Sequence, residues 1–251
     1  MNGISQPALI PDNPMSRELL VTLVNSALRT GELRYARRLC SSWLAIYPGD
    51  LLVSLLNART LFRDKSPNLQ QQALPIVEEL CNIDPEFAEA QELLSEVYQR
   101  TGSGKYAVSK ACANALTHGR SVKTGNNQAV ASWAKYVHEA RTALSNVKAG
   151  EYQQIEKAEY FIHKALVENP ETPLAAVVHL RLIESQASMP KLAVSNLAQI
   201  YHERWPDCLQ FALTLANEQM ESGESDQAVS MIHQMVSRDI AGQVPKRMWG
   251  D

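Results

Sequence analysis

Apolar residues recur along this chain three and four positions apart, with polar residues between them. Leu39, Cys40, Trp43 and Leu44 mark one helical stripe, and Ala158, Ile162 and Ala165 mark another. Val, Ile, Thr and the aromatic residues form no alternating runs, while Ala, Leu, Glu and Gln are abundant, so the pattern predicts helices and no sheet. The helices are punctuated in a regular way. Gly31 ends a first helix, where a residue without Cβ takes the left-handed conformation. Pro48 stops the second, because proline disfavours helix in the residue before it. Further stops stand at Asp84-Pro85, Asn169-Pro170 and Trp205-Pro206. Pro48 and Pro85 are 37 residues apart, and Pro170 and Pro206 are 36 apart. Both intervals approach the ~34-residue period of a helix-turn-helix repeat.

One phrase returns. Gly31-Glu32-Leu33-Arg34-Tyr35-Ala36 near the start is answered by Gly223-Glu224-Ser225-Asp226-Gln227-Ala228 near the end. With Leu20, Leu23, Ala27, Gly31, Ala36, Trp43 and Pro48 in register, the unit from Arg17 to Asp50 resembles a tetratricopeptide repeat. The resemblance extends over roughly residues 15–240 and implies an α-solenoid of stacked antiparallel helix pairs, about six units, irregular in the middle. The expected organisation is a flexible lead over 1–15, units one to three over 16–118, and a polar loop over 119–127. A long helix from about Gln128 to Ala149 and units four to six follow over 128–240, then a tail over 241–251. Met248 and Trp249 sit close to the end without a polar cap. They suggest the N-terminal part of a longer protein, or a Trp249 folded back on the last helix.

Composition is globular, with 45% apolar and 20% charged residues, and the net charge of −3 predicts no general attraction to nucleic acid or anionic membrane. No apolar stretch approaches the ~20 residues that span a bilayer, so membrane insertion is not expected. Met1 to Pro14 has no Lys, Arg or apolar core and does not read as a secretory signal. Cys40, Cys81, Cys112 and Cys208 form no close pair. They read as buried reduced thiols, which points to the cytoplasm.

Candidate chemistry is sparse, and no enzyme is predicted. Thr101-Gly102-Ser103-Gly104-Lys105-Tyr106 lacks both the first glycine of a phosphate loop and its hydroxyl after the lysine, so it reads as a repeat turn. The six histidines show no metal-binding pair four residues apart, and no nucleophile elbow exists. No cofactor or metal is implied.

Charge is more informative. From Val97 to Gly150 there are eight basic residues against one acid, Glu139, a local balance of +7 that leaves −10 for the rest. In the family, first helices line a concave groove that holds extended peptides. In this register Arg29, Arg63 and Arg100 take the thirteenth position of units one to three, and Arg59 and Arg181 the ninth of theirs. Arg141 and Lys148 lie seven apart on one face of the fourth first-helix, which also carries Lys135. Asn25 is the single match to the carboxylate clamp of chaperone-tail-binding members; Val21, Leu56, Glu89 and Leu93 depart from it, which argues against a chaperone tail as ligand. The expectation is a protein-interaction scaffold whose groove takes an acidic or C-terminal segment of a partner through these residues, since arginine offers a carboxylate two parallel hydrogen bonds. The alternatives are a regulatory or sensor arm of a longer protein and, ranked last, nucleic-acid binding through residues 97–150. Against the last, Tyr98 and Trp133 are expected in the core rather than free to stack on bases.

Overall fold

The first helix pair shows the local rules most fully. Ser16 caps α1 (Arg17–Thr30), its hydroxyl accepting from the Leu19 N–H at 3.2 Å. Gly31 closes that helix at φ 83°, which brings the Glu32 N–H onto the Ala27 carbonyl at 2.9 Å. The chain then returns as α2 (Leu33–Leu44). Asp50 opens α3 (Leu51–Phe62) by accepting from the Val53 N–H at 3.2 Å. It also accepts from Arg17 Nε at 2.6 Å and Trp43 Nε1 at 3.1 Å, so one buried carboxylate ties three helices together.

The computed structural model describes residues 15–117, 131–147, 152–186 and 190–250. After α3 come α4 (Pro67–Ile83), α5 (Ala88–Thr101), α6 (Tyr106–Leu116), α7 (Ser132–Ser145) and α8 (Tyr152–Glu168). Then follow α9 (Pro173–Ser185), α10 (Lys191–Arg204), α11 (Leu209–Glu221), α12 (Ser225–Arg238) and α13 (Gln243–Trp249). Among the described residues there is no strand. Consecutive helices pack as six antiparallel pairs, and the second helix of each pair packs on the first helix of the next, as in a helical solenoid. The Gly102 region forms the turn between α5 and α6, as expected of a repeat turn.

First and second helices differ in burial. α3, α9 and α11 are buried on all sides; in α11 every residue from Leu209 to Ala216 is buried. α2, α10 and α12 each bury only two residues, Val194 and Ala198 in α10 for example. In the C-terminal half the first helices α9 and α11 are therefore inner and the second helices α10 and α12 outer, whereas near the N-terminus the first helix α1 buries four residues and the second helix α6 buries six. All four cysteines are buried, as are Tyr98 and Trp133.

The two ends of the array meet. The Ile240 N–H donates to the Gly49 carbonyl at 3.3 Å. A Cβ on Gly49 would stand 2.1 Å from the Ser237 carbonyl oxygen, so only glycine allows this approach. One buried cluster joins Leu51, Leu55 and Phe87 of the N-terminal half to Leu209, Leu213 and Val244 of the C-terminal end. The inner face is thus filled largely by the chain itself.

Two expectations are corrected. The segment 241–251, read as a tail, contains α13. Asp239 accepts from the Gln243 and Val244 N–H groups at 3.0 and 2.7 Å, and Pro245 falls in the first turn, where a missing N–H is harmless. The segment is anchored by buried Val244 and by Met248, while Trp249 stays 58% exposed. The long helix expected over 128–149 is α7, shorter within the described residues. The lead, apart from Met15, and the polar loop 119–127 lie outside the described residues.

Candidate interaction site

The arginines in repeat register serve the array. Arg63 Nη1 donates to the Leu28 carbonyl in the last turns of α1 at 3.4 Å. Arg100 Nη1 donates to the Phe62 carbonyl at the end of α3 at 3.0 Å, with its guanidinium 3.8 Å from the centre of the Phe62 ring. Each cation therefore meets the negative end of the preceding first helix and satisfies a carbonyl that has no helical partner. Arg29 is exposed in the last turn of α1, and Asn25 and Arg59 are half-buried on α1 and α3. Lys135 is exposed on α7, and Lys148 lies outside the described residues.

Arg141 and Arg181, from α7 and α9, converge on one carboxylate. Glu86, in the turn between α4 and α5, has a side chain 1% exposed. Arg181 Nη1 donates to Glu86 Oε1 at 3.0 Å, and its Nη2 pairs with Oε2. Arg141 Nε lies 3.3 Å from the same Oε1, while its Nη1 donates to the Ala115 carbonyl at 3.3 Å. The carboxylate these arginines meet is the chain's own. Two residues earlier, buried Asp84 accepts from Gln210 Nε2 of α11 at 2.9 Å and pairs with Arg247 of α13. Burial pushes the Asp84 carboxyl up to about 6, and Arg247 opposes that rise. The single turn Asp84–Phe87 is thus held by α7, α9, α11 and α13.

The remaining histidine cluster is packing. His179 accepts from or donates to the Tyr201 hydroxyl through Nδ1 at 2.7 Å and lies edge-on to His163. Burial, aided by His163, lowers His179 to about 4 and keeps it neutral. Among the described residues, no group of three or more His, Cys, Asp or Glu side chains is arranged to hold a metal ion.

Two features remain open to solvent. The outer helices α8, α10 and α12 each expose two apolar residues seven or eight positions apart: Tyr160 and Val167, Leu192 and Ile200, Val229 and Val236. Val167 is 83% exposed. The acids Glu156, Glu159, Glu203 and Asp226 are exposed on the same helices. The nearby cations Lys157, Lys191 and Arg204 are paired with Glu139, Glu221 and Glu171. The second feature is a cleft of about 540 Å³ between α10, α11 and α12. Its floor includes Leu209, Ala212, Met231 and Met235, and its walls include His202, Gln219, Gln227 and Gln234. His202 Nδ1 and Gln219 Oε1 are buried there without a hydrogen-bond partner among the described residues.

No protein-family model matches this chain, and no curated protein matches it.

The cations were visible in the sequence as a register, but their acceptors were not. Asp84 and Glu86 stood in plain sight beside the helix-stopping Pro85. Their recurrence with Asp50 and Asp239 at the joints between units was the available signal, since each of these aspartates caps a backbone N–H. The outer apolar pairs were also legible, at seven- and eight-residue spacing on helices that already had a buried stripe elsewhere.

Proposed function

We propose that this chain is a protein-interaction scaffold of the tetratricopeptide type that engages its partner on the outer, second-helix face. The observation that carries the reading is the run of exposed apolar pairs on α8, α10 and α12. Scattered apolar residues are normal on a surface, whereas apolar pairs left open on three successive outer helices, opposite the buried stripe on α8 and α10 and directly beside it on α12, extend over several units, as a docking surface requires. One exposed cation, Lys164, lies between Tyr160 and Val167 and donates to the Tyr160 hydroxyl, but acids prevail around the surface: residues 151–251 carry eight Lys and Arg against fourteen Asp and Glu, a balance of −6. The complementary partner is therefore a protein segment with apolar anchors and basic flanks. An acidic partner held by the inner arginines is the weaker reading, because Arg181 is paired with Glu86 and Arg141 is divided between Glu86 and the Ala115 carbonyl.

The test is cross-linking mass spectrometry on complexes recovered from the native host. Cross-links should fall on α8, α10 and α12, and Val167→Asp with Val236→Asp should abolish recovery without changing the circular dichroism. Cross-links confined to first-helix residues, or recovery untouched by the double variant, would contradict the outer-face reading.

A further inference from the structure

We propose that the cleft between α10, α11 and α12 binds a short peptide segment in extended conformation. This goes beyond the outer-face reading and names a separate site. The cleft follows α12 from Asp226 to Arg238, twelve positions along one helix, or about 18 Å. An extended chain rises ~3.3 Å per residue, so five or six residues fill that length.

The chemistry of the lining matches a peptide main chain. Such a chain presents N–H and C=O groups that must all find partners when covered. Carboxamides both donate and accept, and Gln219, Gln227 and Gln234 stand along the cleft. Gln219 Oε1 is a buried acceptor with nothing donating to it, and His202 Nδ1 is a second buried atom in the same state. Burial lowers the pKa of His202, which keeps the ring neutral and able to accept or donate one hydrogen bond. Atoms buried without partners are costly; both are closed off from solvent, so a peptide pairs with them once the side chain rotates into the cleft, which relieves that cost. The floor supplies the complementary apolar surface. Met231 and Met235 are unbranched and adapt to side chains of different shape, which suits a site that grips main chain and tolerates sequence. Asp226 at one end and Arg238 at the other give the site a direction, although Arg238 also pairs with Asp207 at 2.9 Å.

The experiment is selection of phage-displayed random heptapeptides on the full-length chain, followed by titration of the selected peptides against three variants. Ser230→Trp fills the cleft from an exposed position and leaves the core untouched. Gln219→Leu removes the unpaired acceptor. Val167→Asp lies on the outer face and serves as the control. The site predicts selected peptides that bind the native chain and Val167→Asp alike. Binding should be lost to Ser230→Trp and weakened about tenfold by Gln219→Leu, the loss expected from one buried hydrogen bond. Equal binding to native and Ser230→Trp chains, or no enrichment of any peptide, would overturn the site. A peptide lost only with Val167→Asp would place binding on the outer face instead and overturn the cleft while supporting the scaffold reading.

Discussion

Arg181 on α9 donates to Glu86, 95 residues earlier in the chain, at 3.0 Å. The pair joins the fifth helix pair to the turn between the second and third, so an interaction between units far apart stabilises an array usually described by nearest neighbours.

The geometry makes the cost of breaking that pair unequal. Glu86 is 1% exposed and its two arginines are each 28% exposed. Arg181→Met strands half of a buried charge and should cost about 3 kcal/mol. Glu86→Gln leaves two guanidiniums that can turn to water, and should cost nearer 1 kcal/mol. Urea denaturation of both variants measures the order; a larger loss for Glu86→Gln would show that the carboxylate, not the cation, can reach solvent.

Two glycines separate closure from ordinary turn geometry. Gly49→Ala drives a Cβ into the Ser237 carbonyl, a backbone atom that cannot swing aside, and should lower stability by about 2 kcal/mol, within the usual range of overpacking strain. Gly104→Ala meets nothing within 4 Å and should change stability by less than about 0.5 kcal/mol. Thermal melts of the two variants give the contrast.

Acid should act on two buried groups with opposite sign. Asp84 is raised from 3.8 to about 6, so the stability it contributes is fully present below 3.8 and is lost as pH rises through about 6. His179 is lowered from 6.5 to about 4, so its contribution is present above 6.5 and is lost as pH falls through about 4. Denaturation midpoints followed across this window should show Asp84→Asn removing a downward slope with rising pH, and His179→Phe removing an upward one.

The thiols should be silent in the native chain. Burial pushes Cys40 to about 12 and Cys112 to about 11, and raises Cys81 and Cys208 as well. The thiolate is the reactive form, so a colourimetric thiol reagent should report almost no reaction until denaturant is added, then four equivalents.

Local rules made the helix pairs legible. Gly31, Pro48 and the stripe through Ala36 and Cys40 each act within a few residues, and the helices began and ended near where those signals stood. What the pattern could not show was closure. Whether Arg181 faces a partner or Glu86 depends on the curvature accumulated over several units, and no window of the sequence contains both residues. The tail was misjudged for the same reason: Val244 becomes a core residue only because α3 to α5 come round to meet it.

A distance measurement tests that closure most directly. Spin labels on Ile46→Cys and Ser237→Cys occupy exposed positions beside the Gly49 contact, and the four buried native thiols escape labelling. Pulsed electron resonance should give one short, narrow distance distribution. An open stack with helix axes ~10 Å apart would separate the labels by roughly 50 Å, and a distribution centred there would contradict a closed array.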